Sequence, residues 1–334
     1  PNTSDNDFQK EILIQNSKFA QTAYNGEDIN FNGLLDAGED RDGNGVITRF
    51  VLPAPPVIPR MKVIATENKM EIYWTKNAEA SVDPISKKKD FEGYRLYKTA
   101  LGFDVKQTQD IAKALKLVAE FDRADNTLFS NTGLQSIVLP DSVTFGELGP
   151  LDEPIFYHYK YTFDNLQNGW QHAIALTAFD QGDKVNNLES LESSTLPNIK
   201  RVFPGMPAND GFENGEPFVY PNPYYGLAAW EGLSTNPESK KIYFANLPAN
   251  CVVKIFTSSG DLVDQFTHNE SYNGSDIKWN NTYADPSKNQ FSGGEHAWDL
   301  LSADNQIIAR GIYMFSVKDN KTGKVVNGKF ALIK

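Results

Sequence analysis

The chain has a single cysteine, Cys251, so no intrachain disulfide can staple it, and its fold must rest on packing and on any ion it binds. It lacks an apolar run near the roughly 18 residues that a membrane-spanning helix needs, so no membrane span is expected. Basic residues are in deficit. A net charge of −11 opposes the clustered Lys and Arg that grip a phosphate backbone, so no nucleic-acid partner is expected. Sequence signals of catalysis are equally scarce. His158, His172, His268 and His296 form no H-E-x-x-H spacing or other close ligand pair, and each reads as an ordinary strand or loop residue. There is no G-x-S-x-G elbow, and "SSGD" at 258–261 suits a hairpin turn better than a nucleophile. No phosphate loop or dinucleotide fingerprint occurs, and spacing in sequence assigns no carboxylate pair to glycoside hydrolysis. Cys251 opens an apolar strand, where a buried, inert thiol is expected. No catalytic residue is assigned, and the chain is read as not an enzyme.

What is present suits a sizeable core: 334 residues, 40% of them hydrophobic, which at roughly 100–200 residues per domain predicts two or three domains. The numbering opens on Pro1 with no export-signal pattern after it, as expected of a processed product or the tail of a longer chain. Acid is concentrated at the start, where residues 1–50 hold nine acidic side chains against four basic ones, a balance that favours cationic partners.

The densest stretch is "EDINFNGLLDAGEDRDGNGVI", Glu27 to Ile47, with six carboxylates, three asparagines and four glycines. Counted from Asp28, positions 1, 3, 5, 7, 9 and 12 of a calcium loop are Asp28, Asn30, Asn32, Leu34, Asp36 and Glu39. Gly33 stands at position 6, where the backbone must turn sharply for the oxygens at 1, 3 and 5 to converge. Position 7 contributes its carbonyl whatever its side chain, Leu35 at position 8 tethers the loop, and Glu39 has the reach to chelate with both oxygens. A truncated copy comes next: Asp40, Asp42, Asn44, Gly45 and Ile47 repeat positions 1, 3, 5, 6 and 8, with Thr48 at 9 and Val51 where the acid belongs. Glu27, Asp36 or Glu39 supplies the missing ligand if the two loops fold back on one another. The alternative is a solvated acidic linker, since Asp, Asn and Gly are also the commonest turn formers. A full match followed by a half match favours Ca2+, with a dissociation constant on the order of 0.1–1 mM for an extracellular module. The pattern resembles the helix-poor tandem Asp/Asn/Gly calcium repeats of secreted bacterial proteins, including dockerin-like and thrombospondin-type repeats.

Four segments are expected. Residues 1–24 place Phe8, Ile12 and Phe19 at helical spacing with Asp5 as a cap, and read as the end of an upstream domain; 25–50 is the calcium-binding linker. In 51–203, "VLPAPPVIP" is a stiff connector, and "KMEIYWT", "FEGYRLYKT" and "QHAIALTAFDQGD" alternate as strands, with a further strand near Leu188–Ser194. "QDIAKALKLVAEF" fits either a helix with Ile111, Leu115 and Val118 on one face or a strand over "KLVAEF". The prolines before the first strand, Trp74, Tyr94, Tyr97 and "ALTAFDQGD" resemble fibronectin type III domains, with an insertion over about 100–165.

In 204–334, "YPNP", "NLP", "VVKIF", "SGDLV", "GIYMF" and the terminal "GKFALIK" occur in the order seen in the sorting modules of type IX secretion cargo and the related Ig-like domain of flagellar hook-capping proteins, which they resemble. Trp230 with Tyr224 and Tyr225, and Trp279 with Tyr272 and Tyr283, suit core packing better than a platform for surface carbohydrate. The expected fold class is all-β: two tandem Ig-like or fibronectin-like β-sandwiches preceded by a helix-poor calcium-binding loop segment. The expected role is non-catalytic: an extracellular, secreted or surface-attached spacer and anchor whose partners are cell-surface or export machinery, copies of itself or other extracellular proteins. The alternatives are the accessory C-terminal region of a larger secreted hydrolase and a subunit of an extracellular filament.

Overall fold

Alternating apolar residues become paired strands wherever one face has something to pack against. The computed structural model describes residues 10–40, 43–84, 87–100, 108–124, 129–183, 188–228, 231, 240–277 and 285–333. A first helix, α1 (Lys10–Asn25), buries only Ala23 and Asn25, and after the acidic loops the connector 51–59 runs without regular structure. The connector is tied to residues 81–83 of the first sandwich, where the Ala54 and Val57 amides donate to Asp83 and Ser81.

The first sandwich pairs β1 (Met61–Thr66), β2 (Lys69–Trp74), β6 (Tyr157–Phe163) and β5 (Val138–Val143) in that spatial order. Against it lies a sheet containing β3 (Phe91–Ala100), β4 (Lys116–Asp122), β7 (His172–Asp180) and β8 (Lys200–Phe203). Met70, Ile72 and Trp74 face the shared core, where Trp74 stacks on Tyr159 at 5.6 Å and meets Tyr94 edge-on at 5.7 Å. β7 is buried along its whole length because Ile174, Leu176 and Ala178 enter this core while Ala173 and Ala175 meet Ile111 of α2 (Thr108–Ala114).

Two local expectations change. "QDIAKALKLVAEF" is both helix and strand: α2 ends at Ala114 and β4 begins at Lys116, so Val118 leaves the helical face and is exposed. Around Leu188–Ser194 only the isolated bridges Asp183–Leu188 and Phe179–Glu192 form, because the Asp180 carboxylate accepts from the Gly182 and Leu191 amides and takes the place of a ladder partner.

The second sandwich sets β9 (Phe218–Tyr220), β10 (Ile242–Ala245) and β14 (His296–Trp298), ordered β14-β10-β9, against a four-stranded sheet. That sheet, ordered β12-β11-β15-β16, comprises β11 (Asn250–Thr257), β12 (Leu262–Asn269), β15 (Gly311–Asp319) and β16 (Val325–Leu332). Phe244, Phe315, Phe330 and Trp298 fill its core. The β11–β12 hairpin turns at Ser258–Asp261 as expected, closed by the Thr257 amide donating to the Asp261 carbonyl at 2.9 Å, with Gly260 at φ 94°.

The long connection between β12 and β14 does more than span a gap. Its residues Asn289–Phe291 form β13, which pairs in parallel with β8 and extends the first sandwich's sheet to five strands, ordered β13-β8-β7-β3-β4. Phe291 stacks flat on Phe203 at 4.3 Å. The two sandwiches therefore share a hydrogen-bonded seam.

Candidate metal centre

The acidic loops fold as two successive copies of one hydrogen-bond pattern. In the first, Asp28 accepts from the backbone amides of Asn32 at 3.0 Å and Gly33 at 2.9 Å, and the Asn32 side-chain oxygen accepts from the Leu34 amide at 2.7 Å. In the second, Asp40 accepts from Asn44 at 3.1 Å and Gly45 at 3.0 Å, and the Asn44 oxygen accepts from Val46 at 2.7 Å. Each first-position aspartate is thus held by the amides of its fifth and sixth positions. Gly33 and Gly45 permit this at φ 77° and 75°, a left-handed turn that side-chain-bearing residues rarely adopt.

Glu39 reaches back across the first loop: one carboxylate oxygen accepts from the Ile29 amide at 2.9 Å, the other from the Asp36 amide at 2.9 Å. The side-chain amides of Asn30 and Asn32 both donate to one oxygen of Asp36 at 2.7 Å, so positions 3, 5 and 9 converge on one point. A half-turn of either carboxamide replaces its nitrogen by an oxygen at the same place. Leu34 points outward and is 65% exposed, leaving its carbonyl as its one useful donor. Leu35 and Ile47, the two eighth positions, are half-buried.

Glu27 is the ligand candidate that reaches the second loop. Its carboxylate accepts from the Thr48 amide at 2.9 Å, while its own amide donates to the Thr48 carbonyl at 3.0 Å. The Phe50 amide donates to the Tyr24 carbonyl, and a Cβ on Gly26 would lie 2.1 Å from the Thr48 oxygen. The end of α1 and residues 48–50 thereby clasp the double loop, a closure that spacing alone did not specify. Asp36 and Glu39 serve the first loop. Asp42 lies outside the described residues.

Among the described residues no three His, Cys, Asp or Glu side chains gather tightly enough to hold a metal by themselves. The loop's donors are a mixed set of carboxylates, carboxamides and a backbone carbonyl, which fits a hard, oxygen-seeking dication of high coordination number. Glu27, Asp28 and Glu39 are all buried, and Arg49 approaches Asp28 at 3.4 Å as a partial counter-charge.

Elsewhere, Cys251 is buried and its thiol is pushed up to about 12 by burial, which keeps it unreactive. Trp230, Trp279 and Tyr283 lie outside the described residues. Tyr224 is buried and donates to Glu231, and Tyr272 stacks on His296, so both are committed to the interior. Sequence reasoning missed that His268 and His296, 28 residues apart, meet at 3.3 Å; no local spacing encodes that contact.

The chain matches no protein-family model and no curated protein sequence. Among solved structures it is similar to PorZ, a bacterial surface component of the type IX secretion system of Porphyromonas gingivalis, at 16% identity and a TM-score of 0.24. That match covers 82% of this chain but 23% of PorZ, so the chain spans about a quarter of that protein. A two-domain fibronectin type III segment of chicken tenascin matches at 10% identity and a TM-score of 0.24, over 83% of this chain and 99% of the segment. Dimeric latent PorU of Porphyromonas gingivalis matches at 14% identity and a TM-score of 0.21, over 84% of this chain and 20% of PorU. Scores this low do not define a shared arrangement; the sandwich architecture is carried by the strand pairing and the two cores. Among the described residues no helix is long and apolar enough to cross a membrane.

Proposed function

We propose that this chain is a non-catalytic extracellular spacer and anchoring segment, in which Ca2+ bound by the acidic double loop stiffens the lead into two joined β-sandwiches. The observation that carries this reading is the repeated loop: two first-position aspartates, each held by the amides of its fifth and sixth positions, with Glu39 reaching back across the first copy. Asp28, Asn30, Asn32, the Leu34 carbonyl, Asp36 and Glu39 would hold one ion. Asp40, Asp42, Asn44 and Glu27 are the candidates for a second. The bound ion supplies positive charge among clustered carboxylates and removes their mutual repulsion. The sandwiches would then meet surface or export machinery through the module that resembles type IX sorting domains.

The test is limited proteolysis of the whole chain in calcium or chelator. Calcium is expected to raise the resistance of residues 25–50, and Asp28→Ala to abolish the gain. Equal cleavage in both conditions removes the metal from the mechanism.

A further inference from the structure

The seam between the sandwiches is built around a buried carboxyl. Glu295 is fully buried, accepts from the Tyr220 hydroxyl at 2.6 Å and the Met206 amide at 2.8 Å, and lies flat on the backbone of Gly205, whose amide donates to the Thr66 carbonyl of β1. Tyr220 stacks on Tyr243 at 5.2 Å, and the Gly169 amide donates to the Pro204 carbonyl. Glu67, on the turn between β1 and β2, acts on it as a like charge. An ionised carboxylate here is desolvated, with two hydrogen bonds and an opposing acid.

The next residue begins a second proton-dependent assembly. Asp276 contacts His296 Nε2 at 2.7 Å, His296 Nδ1 faces His268 Nδ1 at 3.3 Å, and His268 Nε2 faces the Gly293 carbonyl at 3.0 Å. A carbonyl only accepts, so His268 Nε2 carries a hydrogen; the facing Nδ1 atoms need one between them; and the Asp276 contact needs a third. Two neutral imidazoles and a carboxylate supply two. The complete chain of three hydrogen bonds therefore holds one proton more than its neutral parts. Burial lowers His268 to about 4. Phe266 and Tyr272 enclose His296 at 4.1 and 3.9 Å, and Tyr272 is the other titratable group on it.

Both assemblies flank the loop that delivers β13 to β8. We propose that the seam is a proton-dependent latch, closed while Glu295 holds its proton and released as it gives that proton up. The sign for Glu295 is fixed by burial: its carboxyl is raised from 4.5 to about 7 in the closed seam and returns toward its ordinary value when the seam opens. The closed state binds the proton more tightly, so opening grows as pH rises through 7 and levels off once both states are ionised.

Hydrogen exchange of the whole chain tests this. After correction for intrinsic rates, the opening constant read at the amides of 289–291 is expected to rise roughly tenfold between pH 6 and pH 9 from the Glu295 carboxyl alone, while the amides of 174–178 in β7 hold steady. Glu295→Gln is expected to remove most of that rise. Carboxyl NMR of the unmodified chain gives a reading independent of the variant: a glutamate titrating near pH 7 at the midpoint of the exchange change supports the latch. An unchanged opening constant across this range, a rise as large in Glu295→Gln, or no glutamate titrating near that midpoint overturns it.

Discussion

The acidic loops and the seam are opposite solutions to holding carboxylates. In the loops, most partners lie within twelve residues, and the acids are met by backbone amides that the turn itself aims at them. In the seam, Glu295 reaches Tyr220 and Met206, 75 and 89 residues away, in a place that only the docking of two sandwiches creates. Amides aimed at a carboxylate favour its charged form, whereas desolvation by tertiary contact pushes an acid towards its neutral form. Ion concentration should govern the first region and pH the second.

The largest effect that tests this separation comes from the first core. Trp74→Ala is expected to cost about 3–5 kcal/mol in denaturant unfolding, while the calcium protection of residues 25–50 persists. Loss of both together would show that the loops depend on the sandwich.

Next is the pH response. Because folding raises the Glu295 carboxyl to about 7, its contribution is most favourable below pH 4.5 and is lost as pH rises through 7. Against Glu295→Gln, the unmodified chain should lose up to about 3 kcal/mol of stability across that window. Identical pH profiles for the two chains would remove the seam's proton dependence.

Gly205→Ala should rank third at about 1–3 kcal/mol, since its Cβ would fall 2.1 Å from a Glu295 oxygen; an unchanged melting temperature would mean that the seam is looser than its contacts imply. The smallest effect sharpens the loop side. Leu34→Ala should leave calcium protection unaltered, because that position offers its carbonyl and its side chain points to solvent. A loss as large as that of Asp28→Ala would contradict this assignment.

Much of the strand content was legible because a strand with one buried face writes itself as alternation. "KMEIYWT" and "GIYMFSVKD" became β2 and β15. The stretch "QDIAKALKLVAEF" was ambiguous because its apolar spacing changes from helical to alternating at Leu115, within a window too short for either period to dominate. The expected strand at Leu188–Ser194 failed where the side chain of Asp180 takes the Leu191 amide, a competition that hydrophobic pattern does not record.

The sequence by itself determined the all-β class, the hairpin at Ser258–Asp261 and the repeated turn of the acidic loops, because each depends on residues that the covalent chain already holds close. Only the tertiary structure decided that Glu27 serves the second loop, that β13 joins a sheet begun some two hundred residues earlier, and that His268 meets His296. Those contacts depend on how far loops travel before closing, and residue periodicity carries no record of which distant surface a loop will meet.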